Sequence, residues 1–447
     1  MTLRDHAALT PKPALARGAT IAFWLLFAGL AAWGVFRHSI GLPDGLDARG
    51  DWGMFYVAGS AVWEGVSVVD ATGGLYIYPP MFAILISPIC AIGPGVAGAI
   101  YQVLMCGAMA VALWWGSAVV VRDFRGKLDT ATRPVVAMIA AAVVFKPMLK
   151  CVQLGQTDPW LALGIVGMLA WSATRPMLAG LLLALTAHVK YTTLALLPVL
   201  MWRGYWRLAG ATLASVGGVF LIGAALLGWE ENLRATFASV GVLGELVGII
   251  DDAPNFVHPI TFDRSIAIPS MIARTLPTVD GEPNIQGALA IGGGLALLCL
   301  LVGWGMYAKA GVALWRVGNR AGKRVGRRGA EDGGEHDRLG RGLGRGVAAA
   351  PMLWLEVSGV VAAVLAFGAQ TTTRHTALMV PLALVAAQLL VLPGSPRLRT
   401  LLASLAIAVA VGPPREAGGP IAAILGMLFV ALWLGLGRVR SFTERPA

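Results

Sequence analysis

About twelve apolar runs divide the chain, at residues 19–37, 97–121, 133–146, 158–173, 176–188, 190–202, 206–228, 287–312, 350–369, 375–392, 399–413 and 419–437. Each is long enough, or nearly so, to cross the ~30 Å hydrocarbon core of a bilayer. A backbone inside lipid must satisfy its own hydrogen bonds, so helices are forced and open sheet edges are excluded. The expected fold class is therefore an all-α polytopic membrane protein with about 12 membrane crossings, some of them short or re-entrant. Composition agrees, with 57% hydrophobic and only 13% charged residues.

An even number of crossings puts both termini on one side, and the cations say which. The N-terminus, "VRDFRGK", "WRGYWR", the loop 313–349, "PRLR" and the tail "RVRSFTER" all fall on one face, which the positive-inside rule makes cytoplasmic. The net charge of +11 is accounted for by these loops, and nucleic acid is not an expected partner. The first run follows a short basic segment and reads as an uncleaved signal anchor. The loop 313–349 is rich in Gly and Arg and is expected to be disordered.

Two large segments remain on the far side, 38–96 and 229–286. The second is acidic, carrying Glu230, Glu231, Glu245, Asp251, Asp252, Asp263, Asp280 and Glu282 against Arg234, Arg264 and Arg274. Each contains an apolar periodicity suited to an interfacial helix. Several runs between 133 and 202 are short and bordered by Lys146, Lys150, His188 and Lys190, a pattern of broken helices that line a cavity.

No Walker lysine motif, HExxH, G-x-S-x-G or calcium loop occurs. The four cysteines include no CxxC and no accompanying His cluster, so no metal and no cofactor is expected. What remains is a set of polar residues at the far membrane face. Asp51 stands against Trp52, Phe55 and Tyr56 at the start of an amphipathic helix, where a carboxylate can cap the helix, act as a base, or do both. "YIYPP" places Tyr76 and Tyr78 before a proline that opens a helix. "KPMLKCVQLGQTDPW" sets Gln153, Gln156 and Asp158 between apolar runs, with Asp158 in a helix-capping position. Lys190 interrupts about 25 apolar residues, where a lone ammonium costs on the order of 3 kcal/mol and needs an anionic partner such as a lipid phosphate. His258, Arg264 and Ser265 precede a further amphipathic helix, and Arg374 with His375 sits at the end of a span.

Taken in order, "DWGMFYVAGSAVWEG", "YIYPPMFAILISP", "QLGQTDPWLALGIVGMLAW", "RPMLAGLLLALTAHVKYTTLALLPVLMWRGYWR", "RSIAIPSMIARTL" and "RHTALMVPLAL" resemble glycosyltransferase family 87. The resemblance covers roughly residues 45–385. Its most specific element is the combination of Gly155-Gln156, Ala179-Gly180 and Lys190. It implies a GT-C glycosyltransferase fold in the plasma membrane of a bacterium, with the active site on the extracytoplasmic face. It also implies inverting transfer of mannose or arabinofuranose from a polyprenyl-phosphate donor to a glycolipid or polysaccharide acceptor.

By position Asp51 would be the base that accepts the proton of the attacking hydroxyl. Lys190, Arg264, Arg374 and His375 would hold phosphate, and Tyr78, His258 and Gln156 would complete the donor site. The competing expectation is a transporter or flippase for polyprenyl-linked glycans, which would also need cations at membrane depth but no carboxylate in the first outer loop.

Overall fold

The computed structural model describes residues 11–39, 50–126, 128–246, 259–279, 281–312, 335–368, 371–411 and 419–443. The described chain is helical, with no strand and a single isolated bridge between Val279 and Glu282. Eight helices among the described residues are long and apolar enough to cross a membrane: Pro13–His38, Pro94–Arg125, Thr132–Leu154, Trp206–Leu227, Ile285–Ala310, Ala350–Phe367, Thr373–Val391 and Gly419–Val439. Four apolar helices are shorter, Pro80–Cys90, Asp158–Trp171, Pro176–Ala187 and Tyr191–Trp202. The protein is thus an all-α, multi-pass membrane protein, with the short helices concentrated where the sequence was broken.

The helices that position the polar cluster are α1 (Pro13–Ser39), α2 (Asp51–Glu64), α3 (Val68–Ala71), α4 (Pro80–Cys90), α5 (Pro94–Arg125), α6 (Thr132–Leu154), α7 (Asp158–Trp171) and α8 (Pro176–Ala187). Proline occupies the first turn of α4, α5, α7 and α8, where its missing N–H costs nothing and its fixed φ favours the helix. Helix α1 packs on α5 and α6, with Phe23 against Trp114 at 5.3 Å between ring centroids. Helix α6 runs without interruption through Lys146, Pro147 and Lys150. The run that ended at residue 146 in sequence is therefore longer in space, because Lys146 extends its ammonium to the carbonyl of Val411 (2.7 Å) rather than ending the helix.

Helix α2 differs from an interfacial helix lying on lipid. Trp52 and Phe55 are fully buried, Trp52 stacked on Tyr101 at 4.7 Å and Phe55 edge-on to Tyr78 and Phe82 at 4.8 and 5.0 Å. Aromatic spacing on one helix face suits a membrane interface and a protein core equally well, and here α4 and α5 supply the core. Tyr76 and Tyr78 are likewise buried rather than part of an interfacial belt.

The segments 38–96 and 229–286 are joined to each other. Helix α11 (Trp229–Leu246) follows α9 (Leu196–Trp202) and α10 (Trp206–Leu227) and presents Glu231 to the start of α3. The Glu231 carboxylate accepts from Ser67 Oγ (3.0 Å) and from the Val68 amide (2.9 Å), a favourable place for an anion. Arg234 pairs with Asp70 at 2.9 Å.

Beyond α12 (Ile268–Thr275) and α13 (Ile285–Ala310), α14 (Glu335–Phe367) begins well before the apolar run at 350. Of the segment 313–349, expected to be disordered, residues 313–334 lie outside the described chain, and from Glu335 the backbone is helical. A buried ion pair joins Arg203 to Glu356 on α14, which also accepts from the Tyr307 hydroxyl at 3.3 Å.

Candidate active site

Two glycines set the position of Asp51. Gly50, the residue before α2, has φ 62°, and Gly155, just after α6, has φ 69°, both in the left-handed region that favours glycine. The two turns press against each other. A Cβ on Gly155 would lie 2.6 Å from Trp52 Cβ, and one on Gly50 would lie 3.1 Å from the Leu154 carbonyl oxygen. Backbone meets backbone here, and the residues that follow each glycine, Asp51 and Gln156, are brought side by side.

Asp51 is the first residue of α2, not its cap. The cap position is Gly50, and no side chain caps the helix. The carboxylate is engaged elsewhere: Oδ2 accepts from Gln156 Nε2, and Oδ1 lies 3.3 Å from Arg374 Nη1. This amide orientation is the one that fits, since the reverse would face oxygen to oxygen. Each carboxylate oxygen keeps a further lone pair, and 25% of the Asp51 side chain remains exposed. Burial pushes the Asp51 carboxyl above its ordinary value, Arg374 and then Lys190 pull it back, and Asp158 pushes it up. Tyr78 serves Asp51 as a hydrogen-bonding neighbour. Burial, and then the Asp51 charge, keep the Tyr78 phenol well above its usual range, so it acts only as a neutral donor.

Gln156 is fully buried, its main-chain carbonyl accepting from the Tyr101 hydroxyl at 3.2 Å. Its chain continues through Thr157 into α7, which starts at Asp158. Asp158 is fully buried and lies 3.7 Å from the Lys190 ammonium, which is 22% exposed. Lys190 sits in the turn after α8, held by its amide to the Thr186 carbonyl (2.8 Å) and by the Thr193 hydroxyl to its own carbonyl (3.2 Å). The lysine that interrupts the apolar run therefore has a protein counter-ion, and the carboxylate that sequence assigned to a helix cap supplies it. Spacing alone could not reveal this, because the two residues come from successive short helices that fold back on each other.

Arg374 and His375 begin a 3₁₀ turn, Thr373–Met379, that leads into α15 (Val380–Val391). His375 Nδ1 accepts from the Thr372 amide at 3.2 Å, and the Thr372 and His375 side chains form a reciprocal cap. His375 Nε2 lies 3.5 Å from Arg374 Nε. The Arg374 carbonyl also accepts from Cys151 Sγ at 3.6 Å, tying the turn to α6.

The loop that carries Arg264 is fastened to the same turn. Ser265 Oγ accepts from the Thr371 amide (3.2 Å), the Ile266 amide donates to the Thr371 carbonyl (2.6 Å), and Arg274 donates to the carbonyls of Phe262 and Ser265. Arg264 itself is exposed, and no bond joins it to the Asp51 cluster among the described residues. His258 lies outside the described residues. Of the sequence-expected residues, then, Asp51, Gln156, Tyr78, Lys190, Arg374 and His375 come together, and Arg264 stands apart. Among the described residues no group of His, Cys, Asp or Glu could hold a metal ion.

The cluster combines a polarised carboxylate with two cations. It can accept a proton and stabilise an anion bound beside it. The model of glycosyltransferase family 87 matches residues 76–331, a stretch that contains Tyr78, Gln156, Asp158, Lys190 and Arg264, whereas Asp51, Arg374 and His375 flank it. No curated protein matches the chain. The matched stretch is more than half of the 447 residues and supplies the short helices around the cluster, so this multi-pass membrane protein is a glycosyltransferase and belongs to glycosyltransferase family 87.

Proposed function

We propose that the protein transfers a sugar, mannose or arabinofuranose, with inversion from a polyprenyl-phosphate donor to a hydroxyl of a glycolipid or cell-envelope glycan. It does so at the extracytoplasmic face of a bacterial plasma membrane, in a GT-C arrangement. The observation that carries this reading is the Asp51 carboxylate held between the Gln156 amide and the Arg374 guanidinium, with the Lys190–Asp158 pair acting on it electrostatically.

Asp51 accepts the proton of the acceptor hydroxyl as its oxygen bonds to the anomeric carbon. The bond from that carbon to the phosphate oxygen breaks, and its electron pair leaves with the phosphate. A single displacement of this kind needs one base and a cationic site for the departing group. Lys190, Arg374 and His375 supply that site, with Arg264 as an outer contact on its loop. Gln156 and Tyr78 orient the base. A carboxyl value raised by burial makes Asp51 the stronger proton acceptor.

The test is Asp51→Asn in membranes, assayed for transfer from a polyprenyl-phosphate sugar. A loss of roughly 10²- to 10⁴-fold is expected for removal of a general base. Full activity in a folded variant sinks the assignment. Movement of lipid-linked glycan across the bilayer without a new glycosidic bond would instead establish the transporter.

A further inference from the structure

Four charges meet in the cluster, two carboxylates matched by two cations: Asp51 with Arg374 and Asp158 with Lys190. Three of the four side chains keep a fifth to a quarter of their surface open, whereas Asp158 is fully buried. Neither of its oxygens accepts a hydrogen bond. It does not cap α7, since the cap position is Thr157. An ionised carboxylate buried without hydrogen bonds is unfavourable on its own, and its ion pair with Lys190 is what offsets that cost. What Asp158 contributes is its charge, and that charge reaches Asp51 and Arg374 as well as Lys190.

We propose that Asp158 sets the anion affinity of the cluster, weakening its hold on the phosphomonoester product more than on the phosphodiester donor, so that the spent lipid phosphate can leave. This rests on the reading of the cluster as a lipid-phosphate donor site. The donor's phosphodiester carries one negative charge. Cleavage of its sugar bond leaves a phosphomonoester that carries about 1.5 to 2 at neutral pH. Unmodified, the two cations would hold the product more tightly than the substrate and the enzyme would stall on it. Coulomb energy is proportional to the ligand's charge. A fixed negative charge beneath Lys190 therefore weakens a dianion by roughly the square of the factor by which it weakens a monoanion.

A residue that only held Lys190 in place would give the opposite sign, because its loss would weaken phosphate binding. The experiment uses the full chain in lipid nanodiscs and measures the KM of a short-chain polyprenyl-phosphate sugar and the Ki of the corresponding polyprenyl phosphate. For Asp158→Asn, a threefold fall in donor KM would accompany about a tenfold fall in product Ki, and turnover would slow with product release. Asp158→Glu should keep the wild-type ratio of Ki to KM. An unchanged or raised Ki in Asp158→Asn overturns the proposal.

Should Asp158→Asn fail to fold, the pair Lys190→Gln and Lys190→Gln/Asp158→Asn carries the test. The single variant raises the ratio of Ki to KM, and the double, again balanced in charge, brings it back towards wild type. A double variant no different from the single overturns the proposal. If polyprenyl phosphate does not inhibit the wild-type protein at all, the donor reading itself falls, and the proposal with it. That outcome is distinct from an inhibited wild type with an unmoved Asp158→Asn.

Discussion

Gln156 donates its side-chain amide to Oδ2 of Asp51 across 105 positions of sequence, joining the end of one helix pair to the start of another. The bond fixes which carboxylate edge faces Arg374 and which lone pairs remain for substrate. Asp51 owes its orientation to this neighbour, since no capping bond holds it.

Gln156→Leu should therefore lower kcat by roughly 10- to 100-fold, the usual penalty for a small misplacement of a reacting group. Donor KM should change little, because Gln156 touches Asp51, the proposed base, and not the cations. Steady-state kinetics in nanodiscs read both parameters. A rise in KM at unchanged kcat would place Gln156 on the donor instead.

The pH profile carries a sign. Asp51 must be ionised to accept a proton, so kcat/KM should fall as pH drops, along an acid limb that lies above the ordinary carboxylate value of 3.8. Arg374 holds that value down, so in Arg374→Gln the limb should move to higher pH. A limb that stays in place would separate Arg374 from the base.

Stability runs the other way. The folded value of Asp51 lies above the unfolded one, so the fold binds its proton more tightly. The residue's contribution is fully present below 3.8 and is lost as pH rises through the raised value. Asp51→Asn should then be more heat-stable than wild type near neutral pH, with the difference closing in acid. Thermal unfolding at several pH values measures it.

Gly155→Ala combines a left-handed φ with a clash against Trp52 Cβ. It should cost about 1–3 kcal/mol from backbone strain alone and displace the start of α2, so activity should fall with stability. Gly65→Ala, also at positive φ but with open space around its Cβ, is the control: strain without displacement, and near-normal kcat per folded molecule.

Far along the chain from Asp51, Glu356→Ala leaves Arg203 buried beside Tyr307 without its carboxylate. Breaking one side of a buried pair typically costs about 3–5 kcal/mol. The double variant Arg203→Met/Glu356→Leu should recover much of that loss, and thermal unfolding of the three variants checks it.

Much of this was legible in the chain. Long apolar runs translated into spanning helices because lipid leaves the backbone no other choice. Asp51, Lys190 and Arg374 stood out because charge beside apolar sequence needs a reason. Asp158 was visible but misjudged, since a residue before proline at a helix start looks like a cap whether or not its carboxylate turns inward. Trp52 and Phe55 were misplaced for a related reason: spacing reports that a helix has an apolar face, but not whether lipid or protein covers it. Arg264 follows the same logic in reverse. Its neighbours Ser265 and Ile266 are bonded to Thr371 while its own side chain faces out, an alternation that a loop sequence does not encode.

The burial of Trp52 and Phe55 against Tyr101, Tyr78 and Phe82 has a further consequence. A helix afloat at the lipid surface would rise and sink with bilayer thickness. Helix α2 is instead rooted in α4 and α5, so the depth of its carboxylate is a property of the protein. Thinner or thicker bilayers can tilt the whole bundle, but the spacing between Asp51 and Arg374 travels with it.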